Sequence, residues 1–186
     1  MKKILLLSLC VIAFTSISFA QDKKAYKSVV AEEKSSQPFQ DGSLPAQKQN
    51  LFLGFGLGYW NNISIHGRYS YRILDQGFLP DINNSISLEG GLGSTYYGNI
   101  AAGTNVVGLT FVAVARWDLQ YDPTWIFFGN VGLSYTAVIN ASTSDVRGGG
   151  FFPALGIGAM YNMQPEWALR ADFSYQFLGA GIVYRF

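Results

Sequence analysis

The sequence predicts an all-β protein, a closed eight-stranded antiparallel up-and-down transmembrane β-barrel. Three observations carry that reading. From residue 50 to the end, apolar residues recur with period two in segment after segment, the spacing of strands and not of helices. Charged residues are 13% of a chain that is 49% hydrophobic, about half the charge of an ordinary soluble protein. Tyrosines and tryptophans gather at the ends of the apolar face and share its phase, as aromatic girdles at two membrane interfaces require.

The chain's 186 residues allow one domain, and a net charge of +1 sets up no field to collect nucleic acid. Lys2 and Lys3 precede an apolar run, Ile4 to Phe14, that is too short to span a bilayer, and Ser18-Phe19-Ala20 places small residues where a signal peptidase reads. Residues 1–20 therefore read as a signal peptide. Its cleavage would remove Cys10, the one cysteine, and with it disulfide, thiol and cysteine–metal chemistry. Residues 21–49 hold five lysines and four acids among Ser, Gln and Pro, too little apolar surface to offset the entropy of ordering; they read as a disordered periplasmic tail or linker. Residues 50–186 are the barrel.

The strands follow in order. Leu51 to Tyr59 sets Leu, Leu, Phe, Leu and Tyr against Gly54, Gly56 and Gly58. Ile63 to Ile73 sets Ile, Ile, Gly, Tyr, Tyr and Ile against Ser64, His66, Arg68, Ser70 and Arg72. Ser85 to Gly93 carries Glu89 on its polar face, and Val107 to Trp117 carries Thr110 and Arg116. Trp125 to Ala137 is the fifth strand, and the sixth starts at Pro153 and runs through Leu155 to Tyr161. Trp167 to Tyr175 alternates Trp, Leu, Ala, Phe and Tyr with Ala168, Arg170, Asp172 and Ser174. Leu178 to Phe186 closes the count at eight, the even number that lets first and last strands join and leaves no edge facing lipid.

The apolar face is assigned outward. The polar face mixes arginine with glycine and holds no lysine, which suits a narrow lumen better than open water. Tyr71, Trp117, Trp125, Tyr161, Trp167 and Phe186 fall at one rim, with Tyr59, Tyr135 and Tyr175 at the other. Tight turns are expected at Trp60-Asn61-Asn62, pairing Tyr59 with Ile63, and at Gln176-Phe177, pairing Tyr175 with Leu178. Asp75-Gln76-Gly77, Asp122-Pro123 and Gln164-Pro165 punctuate the periplasmic rim, and polar stretches at about 94–105 and 140–150 are expected as outer loops.

The last strand, Gly179-Ala180-Gly181-Ile182-Val183-Tyr184-Arg185-Phe186, alternates up to a terminal phenylalanine. With it the chain resembles the small eight-stranded outer-membrane β-barrel family of the OmpX, OmpW and OmpA membrane-domain type. The resemblance covers residues 50–186. It implies an outer-membrane location, with the N-terminal tail and C-terminus periplasmic. It further implies contact with outer-membrane lipid and insertion by the barrel-assembly machinery, with Tyr184 and Phe186 in the assembly signal. The family includes adhesins, pores, anchors and lipid-modifying enzymes, so the fold leaves function open.

Inward residues are His66, Arg68, Arg72, Glu89, Arg116, Asp118, Arg170, Asp172 and Arg185. An eight-stranded lumen is just wide enough to be filled by side chains, and buried arginines need carboxylate partners, so these are expected to form an ion network. Glycines 54, 56, 58, 179 and 181 line the seam of the first and last strands and are expected to make room for Arg68 and Arg170. The alternative is a narrow pore, because arginines outnumber acids on this face, or a lateral exit for small apolar molecules. His66 is the one histidine, and it faces inward with Ser64 and Ser70, away from the lipid that a barrel lipase would act on. The expectation is a non-enzymatic structural or partner-binding envelope protein without cofactor or metal, its partner engaged through the tail or a barrel flank.

Overall fold

The computed structural model describes residues 38–40, 44–58, 62–99, 104–140, 149–175 and 177–186. The expected signal peptide, tail residues 21–37, Tyr59 and loop residue Arg147 lie outside them. Eight strands follow one another: β1 Gln49–Gly58, β2 Asn62–Leu74, β3 Asn84–Asn99, β4 Thr104–Gln120, β5 Trp125–Asn140, β6 Gly150–Asn162, β7 Trp167–Ser174 and β8 Phe177–Arg185. Each pairs antiparallel with its sequence neighbour, and β8 returns to β1 along a ladder from Asn50↔Arg185 to Gly58↔Phe177, closing the barrel. Closure answers the constraint set by the outward face: Leu53, Phe55, Ile65, Val131, Leu133 and Ile157 are all exposed there, and an open sheet edge among them would leave backbone groups unsatisfied in an apolar medium.

We call the end of the barrel that holds Gln49 and Phe186 the lower rim. Here Asp122 Oδ1 accepts from Thr124 N and Trp125 N, both at 2.7 Å, and fixes the β4–β5 turn around Pro123. The fully buried Asn84 holds the longer β2–β3 connection, giving Nδ2 to the carbonyls of Leu79 and Ile82 (2.8 Å for the latter) and accepting from Trp117 Nε1 at 2.9 Å.

The upper hairpins differ from expectation. Residues 94–99 and 104–106 extend β3 and β4, and residues 138–140 and 150–152 extend β5 and β6. What reads as polar loop is alternation carried further: Thr95 points inward and Tyr96 outward, and hydroxyl-bearing inward residues do not interrupt a strand whose inner face is polar. The two tight hairpins are displaced as well. Leu57 pairs with Ile63 and the ladder runs on to Gly58↔Asn62, so Asn62 belongs to β2, and Leu178 pairs with Phe173, because Ser174 and Tyr175 stay with β6.

Pro153 lies inside β6, three residues after its start, opposite Leu133. Tyr175 N donates to Leu155 O at 2.9 Å, so Leu155 turns its backbone toward β7, and by the two-residue repeat so do Pro153 and Phe151. The β7 ladder ends at Gly156↔Ser174. Among the described residues, β6 above Leu155 is thus an edge on that side, and a proline without an N–H blunts it against another strand.

The inner face is not wholly polar. Phe52, Ile126, Phe128, Met160, Ala168 and Val183 form a buried apolar cluster inside the barrel. Glycines on the facing strands make the space. A β-carbon on Gly158 would lie 2.3 Å from both the Phe128 Cζ and the Ala171 carbonyl oxygen. We expect Gly158→Val to cost about 1–3 kcal/mol through overpacking, read as a lower urea midpoint with an unchanged slope; a wild-type midpoint would show that the ring can move aside.

Candidate functional site: the charged lumen

The inward phase of four strands brings the charged residues to one level. In β4, Arg116 and Asp118 stand two residues apart on the same face, and in β7 Arg170 and Asp172 do the same. Each pair bonds in two places. Arg116 Nε and Nη2 donate to Asp118 at 2.8 and 3.0 Å, and Arg170 Nε and Nη2 donate to Asp172 at 2.9 and 2.8 Å. Glu89 of β3 lies between them. It accepts from Arg116 Nη1 at 2.7 Å, from Arg170 Nη1 and Nη2 at 2.6 and 3.0 Å, and from Arg68 Nη1 of β2 at 3.1 Å. Arg68 Nη1 is also 3.9 Å from Asp172. Three guanidiniums and three carboxylates therefore meet with their charges balanced, all but Arg68 and Asp118 at most 3% exposed.

Two phenyl rings interleave with the charges. The Arg170 guanidinium carbon is 4.6 Å from the ring centres of both Phe52 and Phe128, Arg116 is 5.6 Å from Phe128, and Arg68 is 5.9 Å from Phe52. A planar cation stacks on aromatic faces and still presents its edge to carboxylates, which lysine could not do in this space. The glycine seam serves the ring. A β-carbon on Gly54 would be 2.3 Å from Phe52 Cζ, and one on Gly181 would be 2.6 Å from its Cε2. The room expected for Arg68 and Arg170 is thus occupied by Phe52, and Arg170 packs against that ring.

The other expected residues sit around this level. His66 is buried with its ring 6.0 Å from that of Phe52, and Ser64 Oγ faces the Gly56 carbonyl at 3.5 Å. Arg72 reaches the lower rim, with Nε 2.9 Å from Asp75 and Nη2 donating to the Pro45 carbonyl at 2.7 Å. Lys48 bonds the same Asp75 at 2.7 Å, and its hydrogen bond holds the Asp75 carboxyl below the usual carboxylate range, with the Arg72 charge adding to the effect. Arg185 donates to Asn162 Oδ1 at 2.6 Å.

Part of the stretch read as tail is fastened here. Phe39 N donates to Tyr121 O at 2.8 Å, its carbonyl accepts from Asn83 N at 2.7 Å, and its ring meets Tyr121 edge-on at 5.2 Å. Pro45 is held by Arg72.

Outside, the aromatics pair across the ladders and, at the end of β8, along the chain. At the lower rim Trp125 meets Tyr161 at 5.1 Å, Trp167 meets Tyr184 at 4.8 Å, and Tyr184 stacks on Phe186 at 5.9 Å. Tyr71 is exposed at the same rim, while Trp117 is half-buried against Phe78 at 5.6 Å. Higher up, Tyr135 meets Phe151 at 4.8 Å, and Tyr175 is exposed.

No protein-family model matches this chain, and no curated protein matches it. Solved structures do. The N-terminal β-barrel domain of Pseudomonas aeruginosa OprF superposes with a TM-score of 0.55 at 17% identity, covering 75% of this chain and 98% of that one. The fold is that of the small outer-membrane β-barrels. A de novo designed transmembrane β-barrel gives 0.51 at 18% identity over 77% of this chain and 98% of its own. A designed barrel solved by NMR in solution gives 0.50 at 22% identity over 75% and 94%.

Within this outer-membrane barrel fold, sequence reasoning missed Phe52 and Phe128, the rings that complete the lumen. The available signal was size: each is an aromatic residue in the inward phase of its strand, with glycines packed against its ring. Phe151 and Tyr121, which extend the aromatic rims, were missed because their segments read as loop and turn.

Proposed function

We propose that this chain is a non-enzymatic outer-membrane protein with a structural or partner-binding role, its lumen filled by the Arg/Asp/Glu network instead of serving as a conduit. The observation that carries this reading is Glu89, one carboxylate shared by three guanidiniums that two phenyl rings flank at the same level. A water-filled path would need that cluster to part, and parting it strands buried charges. The non-enzymatic part is supported by the position of His66, which faces Phe52 inside the barrel and offers no base to a substrate in lipid. The exposed apolar belt, bounded by Trp125–Tyr161 and Trp167–Tyr184 below and Tyr135–Phe151 above, suits outer-membrane lipid. On this reading both termini are periplasmic, Tyr184 and Phe186 address the barrel-assembly machinery, and an envelope partner binds the tail or a barrel flank.

Planar-bilayer recording tests the plugged lumen: the purified mature protein should give no steady single-channel currents, and reproducible unitary steps would establish the pore reading instead. Co-purification from membranes in mild detergent tests the partner. A stoichiometric companion lost on deletion of residues 21–37 would place binding in the tail; loss of no companion would leave the barrel flank.

A further inference from the structure

The charges of the described lumen do not quite balance. Arg68, Arg116 and Arg170 match Glu89, Asp118 and Asp172, and Arg72 has Asp75. Arg185, only 3% exposed, is left over, and its bond to Asn162 is with a neutral amide. A buried cation without a counter-charge is costly. Next to it lies a cavity of about 20 Å³, bounded by Arg72, Arg116, Arg185, Ser85, Ser87 and Asp118, with apolar walls from Ile126 and Met160. Three guanidiniums face one carboxylate across this space, and Arg116 Nε and Nη2 already hold that carboxylate. The volume exceeds what one water needs. Leu44 and Pro45 line the cavity on its lower side, and Arg72 donates to the Pro45 carbonyl.

We propose that this chamber at the lower mouth binds one small inorganic anion of chloride size, with Arg185 as its principal cation and Arg72 and the Ser85 and Ser87 hydroxyls completing the shell. Its apolar walls lower the local dielectric and strengthen the attraction, and its size excludes large organic anions. Bound chloride would tie the segment before β1 to the barrel, because the Arg72 side chain serves both.

The test uses the full mature protein in detergent, at constant ionic strength, with gluconate replaced stepwise by chloride. An anion that binds only the folded barrel raises the midpoint of thermal unfolding with the logarithm of its concentration, by about 3 °C or more at tenfold excess over its dissociation constant. Arg185→Gln should abolish that response. Equal midpoints in chloride and gluconate, or a response that Arg185→Gln retains, would overturn the site. Should that variant fail to fold, bromide-soaked crystals of the wild type decide alone: an anomalous peak against Arg185 supports the site, and a cavity holding only water refutes it.

Discussion

Replacing Glu89 with glutamine should be among the most damaging single changes in this barrel. The amide keeps the shape of the carboxylate but loses its charge and half of its acceptor capacity, while Arg68, Arg116 and Arg170 still converge on it. Removing one partner of a buried ion pair costs about 3–5 kcal/mol because the charge left behind has no solvent. Here three cations lose their common partner, and only Asp118 and Asp172 remain to offset them, with Arg68 reaching Asp172 no closer than 3.9 Å. The expected result is a loss of at least that size in urea titrations of the folded protein, together with a lower temperature for its heat-dependent gel shift. Replacing the whole cluster with apolar residues of matched volume is expected to recover much of the loss, because a buried network is poor evidence of net stability. An E89Q protein with the wild-type midpoint would mean that water reaches the lumen freely and that the interior is a channel.

A second large effect is expected on the outside, and it depends on depth. Val131 is exposed on β5 between the Trp125 and Tyr135 belts, and Ile139 is exposed beyond Tyr135. An arginine at a bilayer midplane costs about 2–4 kcal/mol and near an interface about 0–1. Val131→Arg should therefore destabilise the protein by about 2–4 kcal/mol in phospholipid vesicles, and Ile139→Arg by less than about 1. In water a surface arginine at either site would be nearly neutral. Equal costs for the two variants would refute the membrane assignment of the belt.

The sequence made the fold legible because lipid outside and ions inside push the alternation in opposite directions on every strand. Trp167 to Ser174 shows the pattern most fully: apolar residues face out, and Ala168, Arg170 and Asp172 are buried inside. The two Arg-x-Asp spacings, 116–118 and 170–172, place cation and anion on one face by the two-residue repeat alone. Three things stayed hidden. Period two assigns a face but not a height, so nothing in the chain said that Glu89 of β3 would meet Arg170 of β7 across the lumen. An apolar residue in the inward phase, such as Phe52, also looks like noise in the alternation. It becomes intelligible once Gly54 and Gly181 are seen beneath its ring. The upper hairpins were hidden for a related reason: polar residues facing a lumen and polar residues in a loop share one composition.

The β1–β8 seam also bears on the order of events when the barrel forms. Seven ladders join strands adjacent in sequence, so each can grow outward from its own turn as a local contact. The eighth brings Asn50 to Arg185, nearly the full length of the barrel sequence apart, and the strands it joins are rich in glycine on their inner face. Distant pairing between weak strand formers gains least from what forms first. The β1–β8 seam is then expected to be the last ladder to form. Until that step the two glycine strands are the sheet's free edges, where a further strand could add.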